Sequence, residues 1–206
     1  MSNKPTTQRE KLRALAASSS ILRAQDLGDH GIAGTTIQRA LSDGDLIRIG
    51  RGLYQNPAAE IDSDIRLAEI AKRIPKGVIA MVSALARHGL MDQMPRQVWV
   101  AIGASDWSPA PAFRPVRIVR FADKYLIEGV EHHTISGVNV PIYSVLKTLA
   151  DLFRNGRMVD RSVAVEGLHA ALEQRKGTPS AIAEAARAGG AWRIMRPYLE
   201  AFTFNS

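Results

Sequence analysis

Residues 34–54 constrain the fold more than any other stretch of this chain. They read GTTIQRALSDGDLIRIGRGLY. Apolar residues with helical spacing come first, and they are followed by the turn Asp43-Gly44-Asp45 and by two extended apolar runs on either side of Gly50-Arg51-Gly52. The pattern predicts a short helix that leads directly into a two-stranded hairpin with an arginine at its tip.

The predicted helix has one apolar face and one polar face. Its apolar face is formed at spacings of three and four residues by Ile37, Ala40 and Leu41. The opposite face is formed by four polar side chains, the first of which is predicted to cap the helix: Thr35, Gln38, Arg39 and Ser42. All four types can hydrogen-bond to base edges or phosphates, so this face is a candidate for DNA contact.

The hairpin adds two arginines to this candidate surface, Arg48 on its first strand and Arg51 at its tip. Glycines beside Arg51 permit positive backbone dihedrals and close approach to a sugar-phosphate backbone. The arginine itself could pair with phosphate or enter a minor groove. A surface turn with a solvated arginine is the alternative, but the helix at 34–42 is preceded by another predicted short helix in residues 21–31, closed by glycines. Two helices followed by a hairpin predict a winged helix-turn-helix.

Composition narrows the class of protein without deciding it. The 206 residues carry a formal net charge of +7, which favours a polyanionic partner, although positive charge is spread over both halves of the chain. Cysteine is absent, which excludes disulfides and thiolate metal sites. No apolar run is long enough to span a membrane, and the polar N-terminus lacks a signal-peptide core, so we predict a cytoplasmic protein without membrane contact.

A domain boundary is predicted after residue 58, where Asn56 and Pro57 end the hairpin and a linker extends to residue 63. The domains would be residues 1–58 and 59–206. The second domain is predicted to contain a small mixed sheet of about four strands and several helices, which makes the whole chain α+β. The predicted strands are 97–102, 116–121, 130–135 and 138–143, and the predicted helices are 64–74, 78–87, 144–154, 160–175, 179–188 and 192–202.

The order of these segments resembles the AbiEi antitoxins, the transcriptional regulators of type IV toxin-antitoxin systems. The segments IRIGRGLYQNP, IPKGVIAMVSALARHGL, QVWVAI, VRIVRF, GVEHHTISGVNVPIY, SVLKTLADLF and RPYLEAF carry the resemblance along nearly the whole chain. It implies a winged helix that binds inverted repeats at its own promoter and a C-terminal domain that supports cooperative repression, with self-association on the DNA. It also implies a separately encoded nucleotidyltransferase toxin that the antitoxin need not touch. The DNA-binding role is carried over onto Thr35, Gln38, Arg39, Arg48 and Arg51.

Two other functions compete with repression. A protein-interaction module could neutralise a toxin by direct contact, with the winged helix serving only as a scaffold. A metal-dependent nuclease would need clustered carboxylates with a nearby lysine, whereas the acidic residues of the C-terminal half are scattered. We therefore predict a protein that is not an enzyme and that has no cofactor and no metal site.

Overall fold

The computed structural model describes residues 7–58, 64–92, 95–106 and 116–204. The predicted linker at 59–63 lies outside the described residues. The chain divides into two compact units, residues 1–75 with 133–140 and residues 76–132 with 141–206. The domain limits 1–58 and 59–206 stay a prediction. About half the chain is helical and a fifth is strand, which confirms the α+β class.

The first unit begins with four helices and three short strands. In chain order they are α1 (Gln8–Ser18), β1 (Ile21–Arg23), α2 (Ala24–Asp29), α3 (Gly34–Ser42), β2 (Ile47–Gly50), β3 (Leu53–Gln55) and α4 (Ile65–Arg73). The three strands form an antiparallel sheet in the order β1-β3-β2. Leucine and isoleucine side chains from the helices and the sheet form its core, among them Leu12, Leu22, Leu27 and Ile37.

Strand β1 corrects part of the sequence prediction. Residues 21–31 were expected to form one short helix, but Ile21, Leu22 and Arg23 pair with Gln55, Tyr54 and Leu53 of β3. An apolar run this short fits a strand as well as a helix, and its partner strand lies about thirty residues further along the chain. Only α2 remains helical, and the turn that follows it contains Gly31 with a φ of +74°.

The remaining strands and helices build a five-stranded mixed sheet and the helices of the second unit. They are β4 (Val78–Ile79), α5 (Met81–Arg87), β5 (Val98–Gly103), β6 (Val116–Phe121), α6 (Asp123–Leu126), β7 (Val130–Ile135), β8 (Val138–Tyr143), α7 (Val145–Arg154), α8 (Arg161–Glu173), α9 (Pro179–Ala188) and α10 (Trp192–Phe204). The sheet order is β6-β5-β4-β8-β7. All four predicted strands are confirmed, with the first shifted by one residue.

The strand of this sheet that the sequence did not predict is β4, which lies in the middle of the sheet. It pairs antiparallel with β5 and parallel with β8, through Ile79 opposite Ile142. The sequence prediction assigned Val78 and Ile79 to the start of a helix, which instead begins at Met81. Both strand residues are buried, and a two-residue strand with buried faces has no alternating pattern that a sequence could reveal.

The β7–β8 hairpin turns at Ser136 and Gly137, as the sequence predicted. Both residues have positive φ, +50° and +73°, as a tight hairpin turn of the primed type requires. Residues 133–140 belong to the first unit, where the turn meets the chain that leaves α1. There the backbone N–H of Ser20 donates to the carbonyl of Ser136 at 2.8 Å. In the part of the chain that the structure describes, no helix is long and apolar enough to cross a membrane.

Candidate nucleic-acid interface

The two faces of α3 are divided as the sequence predicted. Ile37 and Ala40 are buried at 5% and 1% exposure, and Leu41 is half-buried. The four predicted DNA-binding positions on the opposite face are all exposed: Thr35, Gln38, Arg39 and Ser42. Gln38 and Arg39 lie three and four residues after Thr35 and four and three residues before Ser42, so the four positions share one side of the helix.

The start of α3 differs from the prediction. The helix begins at Gly34, with Ala33 in the capping position and in extended conformation, so Thr35 lies inside the first turn and does not cap it. Its hydroxyl is therefore not needed for the helix end. At the other end, the Ser42 hydroxyl donates to the Gln38 carbonyl at 3.1 Å, which keeps that side chain close to the helix.

The exposed side chains of α3 are open to a ligand. Within the described residues, Thr35, Gln38 and Arg39 make no side-chain hydrogen bond or ion pair. Arg39 lies in the last turn of α3, where a cation interacts favourably with the helix dipole. Two hydrogen-bonding groups and one cation thus face solvent on a helix whose other side is fixed in a core.

The β2–β3 hairpin presents the two predicted arginines. Both Arg48 and Arg51 are exposed, and Gly52 has a φ of +67°, which confirms that the tip needs a glycine there. A bulge between Arg48 and Gly50 interrupts the register with β3, and bulges increase the local twist of a hairpin. Arg48 donates through Nε to the carbonyl of Gly50 at 3.3 Å, whereas Arg51 makes no bond to any described residue.

Gly50 is a glycine for a different reason from the one predicted. Its φ is not positive, but a Cβ atom at this position would overlap the guanidinium of Arg73 on α4. Arg73 in turn pairs with Glu69 one helical turn earlier, at 2.7 Å. The first strand of the hairpin therefore lies directly against α4, a contact between residues that are 23 positions apart.

Further bonds hold the hairpin and α2 in place. The N–H of Ala24 donates to the carbonyl of Gly52 at 2.8 Å, which ties the tip of the hairpin to the start of α2. Lys72 of α4 pairs with Asp26 of α2 at 2.5 Å, and both side chains are about one-third exposed or less. Sequence reasoning missed these partners, because each bond joins segments that are far apart in the chain.

The acidic turn after α3 is matched by basic residues of α1. Arg9 pairs with Asp43 at 2.6 Å and with Asp45 at 2.7 Å, and Arg13 lies 3.3 Å from Asp45. Hydrogen bonding from Arg9 lowers the pKa of the Asp45 carboxyl, which is therefore ionised at neutral pH. The two negative charges closest in sequence to the exposed face of α3 are thus paired. Among the residues that the structure describes, no three His, Asp or Glu side chains are close enough to hold a metal ion.

Comparison with known proteins finds a family match over this region and a similar solved structure. Residues 10–57 match the family model of the transcriptional regulator AbiEi antitoxin. A search of curated proteins finds no match. Among solved structures, the chain is similar to the crystal structure of the RV2827C protein from Mycobacterium tuberculosis. The two are 15% identical, with a TM-score of 0.54 over 97% of this chain and 83% of that one.

The two similarities carry different information. At 15% identity the solved structure shows a shared fold and nothing about function. The family match covers most of α1, together with α2, α3 and the β2–β3 hairpin, and all six predicted positions lie on α3 and the hairpin. The resemblance inferred from the sequence is thereby confirmed over residues 10–57, which are similar to the AbiEi antitoxin transcriptional regulators.

Proposed function

We propose that this protein is a DNA-binding transcriptional repressor and the antitoxin of a type IV toxin-antitoxin operon. In this proposal α2, α3 and the β2–β3 hairpin form a winged helix-turn-helix, with α3 as its recognition helix. The observation that carries it is the exposed stripe of Thr35, Gln38, Arg39 and Ser42, which lies next in sequence to a hairpin with an arginine at its tip. The family match covers the same elements.

The chemistry of the stripe suits base reading in a major groove. Arginine can bond to both major-groove acceptors of guanine, glutamine can bond bidentately to adenine, and hydroxyls bond to either base edges or phosphates. At the hairpin tip, Arg51 would contact phosphate or enter the adjacent minor groove, and Arg48 would contact the backbone. A single module of this size buries too little surface for strong discrimination, so several copies would bind inverted repeats together.

The biological partners follow from the family. The DNA would be the double-stranded promoter of the protein's own operon, which places the protein in the cytoplasm. The toxin would be a nucleotidyltransferase encoded alongside it, and its neutralisation would not require direct contact. No catalytic step is assigned to this chain, because the matched family model is one of transcriptional regulators.

Arg39→Ala and Arg51→Ala are each expected to weaken promoter binding by about 1–3 kcal/mol, roughly five- to 150-fold. Arg39 is assigned to a base edge, so its loss should also reduce discrimination against a scrambled fragment of equal length. Arg51 is assigned to the sugar-phosphate backbone, so its loss should lower the slope of log K against log salt by roughly one. Gel-shift titrations at several salt concentrations measure both effects.

A matched control is Arg66→Ala. Arg66 is exposed on α4, makes no bond to any described residue and carries the same charge, but it lies outside the helix and hairpin assigned to DNA. All three variants should melt within a degree or two of the parent, because exposed side chains without partners contribute little to stability. Promoter affinity that is the same for the Arg39, Arg51 and Arg66 variants would remove the assigned interface and favour neutralisation of the toxin by contact.

A further inference from the structure

The N-terminus of α3 depends on a side chain from α1. The capping residue Ala33 has no side-chain acceptor for the free N–H groups of the first turn. Gln8 of α1 bonds to this end of the helix in another way: its Oε1 accepts from the N–H of Ala33 itself at 3.1 Å and from the Thr36 hydroxyl at 2.8 Å. One amide oxygen thus fixes two groups at the end of α3 where the exposed stripe begins.

The opposite end of α3 is held by the next residue of α1. Arg9 donates to Asp45 through Nε at 3.1 Å and through its terminal nitrogen at 2.7 Å, and it also pairs with Asp43 at 2.6 Å. Asp43 caps the C-terminus of α3, and Asp45 leads into β2. A guanidinium that bridges both carboxylates fixes the turn between the helix and the hairpin.

Helix α1 is a firm base for these two side chains. Its own N-terminus is closed by a capping box, in which Thr7 accepts from the Glu10 N–H and the Glu10 carboxylate accepts from the Thr7 N–H. Leu12 and Ala16 are buried in the core that also contains Ile37 of α3. Consecutive residues of one anchored helical turn therefore hold both ends of α3.

We propose that Gln8 and Arg9 are positioning residues for DNA binding, which set the placement of α3 and neutralise the acidic turn that follows it. The inference rests on the proposed function, because it assigns α3 to the major groove. With Arg9 removed, Asp43 would lose its cation and Asp45 would keep only Arg13, at 3.3 Å. Negative charge would then lie next to a surface that must approach phosphates, and like charges at an interface oppose binding. With Gln8 removed, the Ala33 N–H and the Thr36 hydroxyl would lose their shared acceptor, and the start of the stripe would be held less firmly.

The test compares Arg9→Gln with Lys11→Gln in the full-length protein. Both variants remove one positive charge from α1, but Lys11 is exposed and has no partner among the described residues. Arg9→Gln is expected to weaken binding to the promoter fragment roughly three- to tenfold more than Lys11→Gln does. Adding Asp43→Asn and Asp45→Asn to Arg9→Gln should restore most of that loss, because the charges that Arg9 neutralised are then absent.

Gln8→Ala has a separate readout. It should reduce the preference for the promoter over a scrambled fragment and leave the salt slope unchanged, since no phosphate contact is lost. A change in global stability alone would lower the affinity for the promoter and the affinity for the scrambled fragment together. Circular dichroism at the binding temperature checks that each variant is folded.

Two results would overturn the inference. If the Asn substitutions fail to restore the Arg9→Gln variant, Arg9 acts on DNA directly and not through the acidic turn. If Gln8→Ala and Arg9→Gln both behave like Lys11→Gln while Arg39→Ala still weakens binding, the positioning role fails and the proposed function survives. If Arg39→Ala and Arg51→Ala do not weaken promoter binding, the proposed DNA interface itself is wrong.

Discussion

Asp151→Ala is expected to destabilise the second unit by about 3–5 kcal/mol, the range for breaking a buried ion pair by removing one partner. Asp151 is fully buried on α7, and both of its carboxylate oxygens lie 2.7 Å from Nζ of Lys147, which is 6% exposed. A terminal nitrogen of Arg154 reaches the same carboxylate at 2.7 Å. Without the aspartate, two cations would remain in this site without the carboxylate that bonds to both, and Glu128 acts on Lys147 only through its charge.

The surroundings of the pair explain why the loss should be large. The Lys147 ammonium lies 4.8 Å from the ring centre of Tyr143 and 5.1 Å from that of Phe121. Aromatic faces stabilise a desolvated cation by about 2 kcal/mol, which is less than the loss expected when a buried ion pair is broken. Burial raises the pKa of Asp151 and lowers that of Lys147, because it disfavours the charged form of each group.

The stability of Asp151→Ala is expected to rise with pH in the alkaline range. Without Asp151, Lys147 loses the opposite charge that raised its pKa, so its folded pKa should fall further below the unfolded value of 10.5. Between these two values the unfolded chain binds more protons than the folded one, so stability rises with pH. The difference in the free energy of unfolding between the parent protein and Asp151→Ala should therefore become smaller as the pH approaches 10. Urea unfolding at a series of pH values measures it.

Glu200→Ala is the matched control. Glu200 pairs with Arg196 at 2.6 Å on α10, with the same spacing of four residues, but the two side chains are 44% and 59% exposed. Its loss should cost no more than about 1 kcal/mol. A double change to Lys147→Met and Asp151→Leu should be milder than Asp151→Ala, because the buried lysine charge is then removed with its partner and only Arg154, which is 18% exposed, loses its carboxylate. Equal losses of unfolding free energy for Asp151→Ala and Glu200→Ala would show that the buried ion pair stabilises the protein no more than the exposed one.

The exposed stripe of α3 was predictable because helix periodicity is a local property. Which side of the helix is buried follows from the spacing of Ile37, Ala40 and Leu41, and the structure reproduces this division. Regular strands with turn residues between them, such as 130–135 and 138–143, were predictable for the same reason. The information that fixes these elements lies within ten or so neighbouring residues.

The supports of the candidate site could not be predicted in this way. Gln8 bonds to the capping residue of a helix 25 positions later, and Arg9 bridges a turn more than 30 positions later, so no local pattern marks either residue. Gly50 was correctly singled out, but its role is to admit Arg73. Lys147 and Asp151 are both buried, although charged residues are rarely buried in proteins. Their spacing of four residues was the only sequence signal.

Gly137→Ala is expected to destabilise the first unit by roughly 3 kcal/mol or more. A residue with a side chain costs about 1–2 kcal/mol in the left-handed region that Gly137 occupies, with its φ of +73°. A Cβ atom would also overlap the backbone carbonyl of Ser18 and lie 2.6 Å from Cα of Ser19. Such overlap typically costs about 1–3 kcal/mol, and here the obstructing atoms are backbone atoms that cannot rotate away.

Gly31→Ala separates the two contributions. Gly31 has nearly the same φ, +74°, but a Cβ atom there would meet nothing within 4 Å. This variant should therefore show the backbone cost alone, about 1–2 kcal/mol. Denaturant unfolding of both variants gives the steric part as their difference. Hydrogen exchange at the Ser20 amide, which donates to Ser136 at 2.8 Å, should accelerate in Gly137→Ala and not in Gly31→Ala. Equal unfolding energies for the two variants would mean that the β7–β8 turn does not press on the end of α1, because only that contact distinguishes the two glycines.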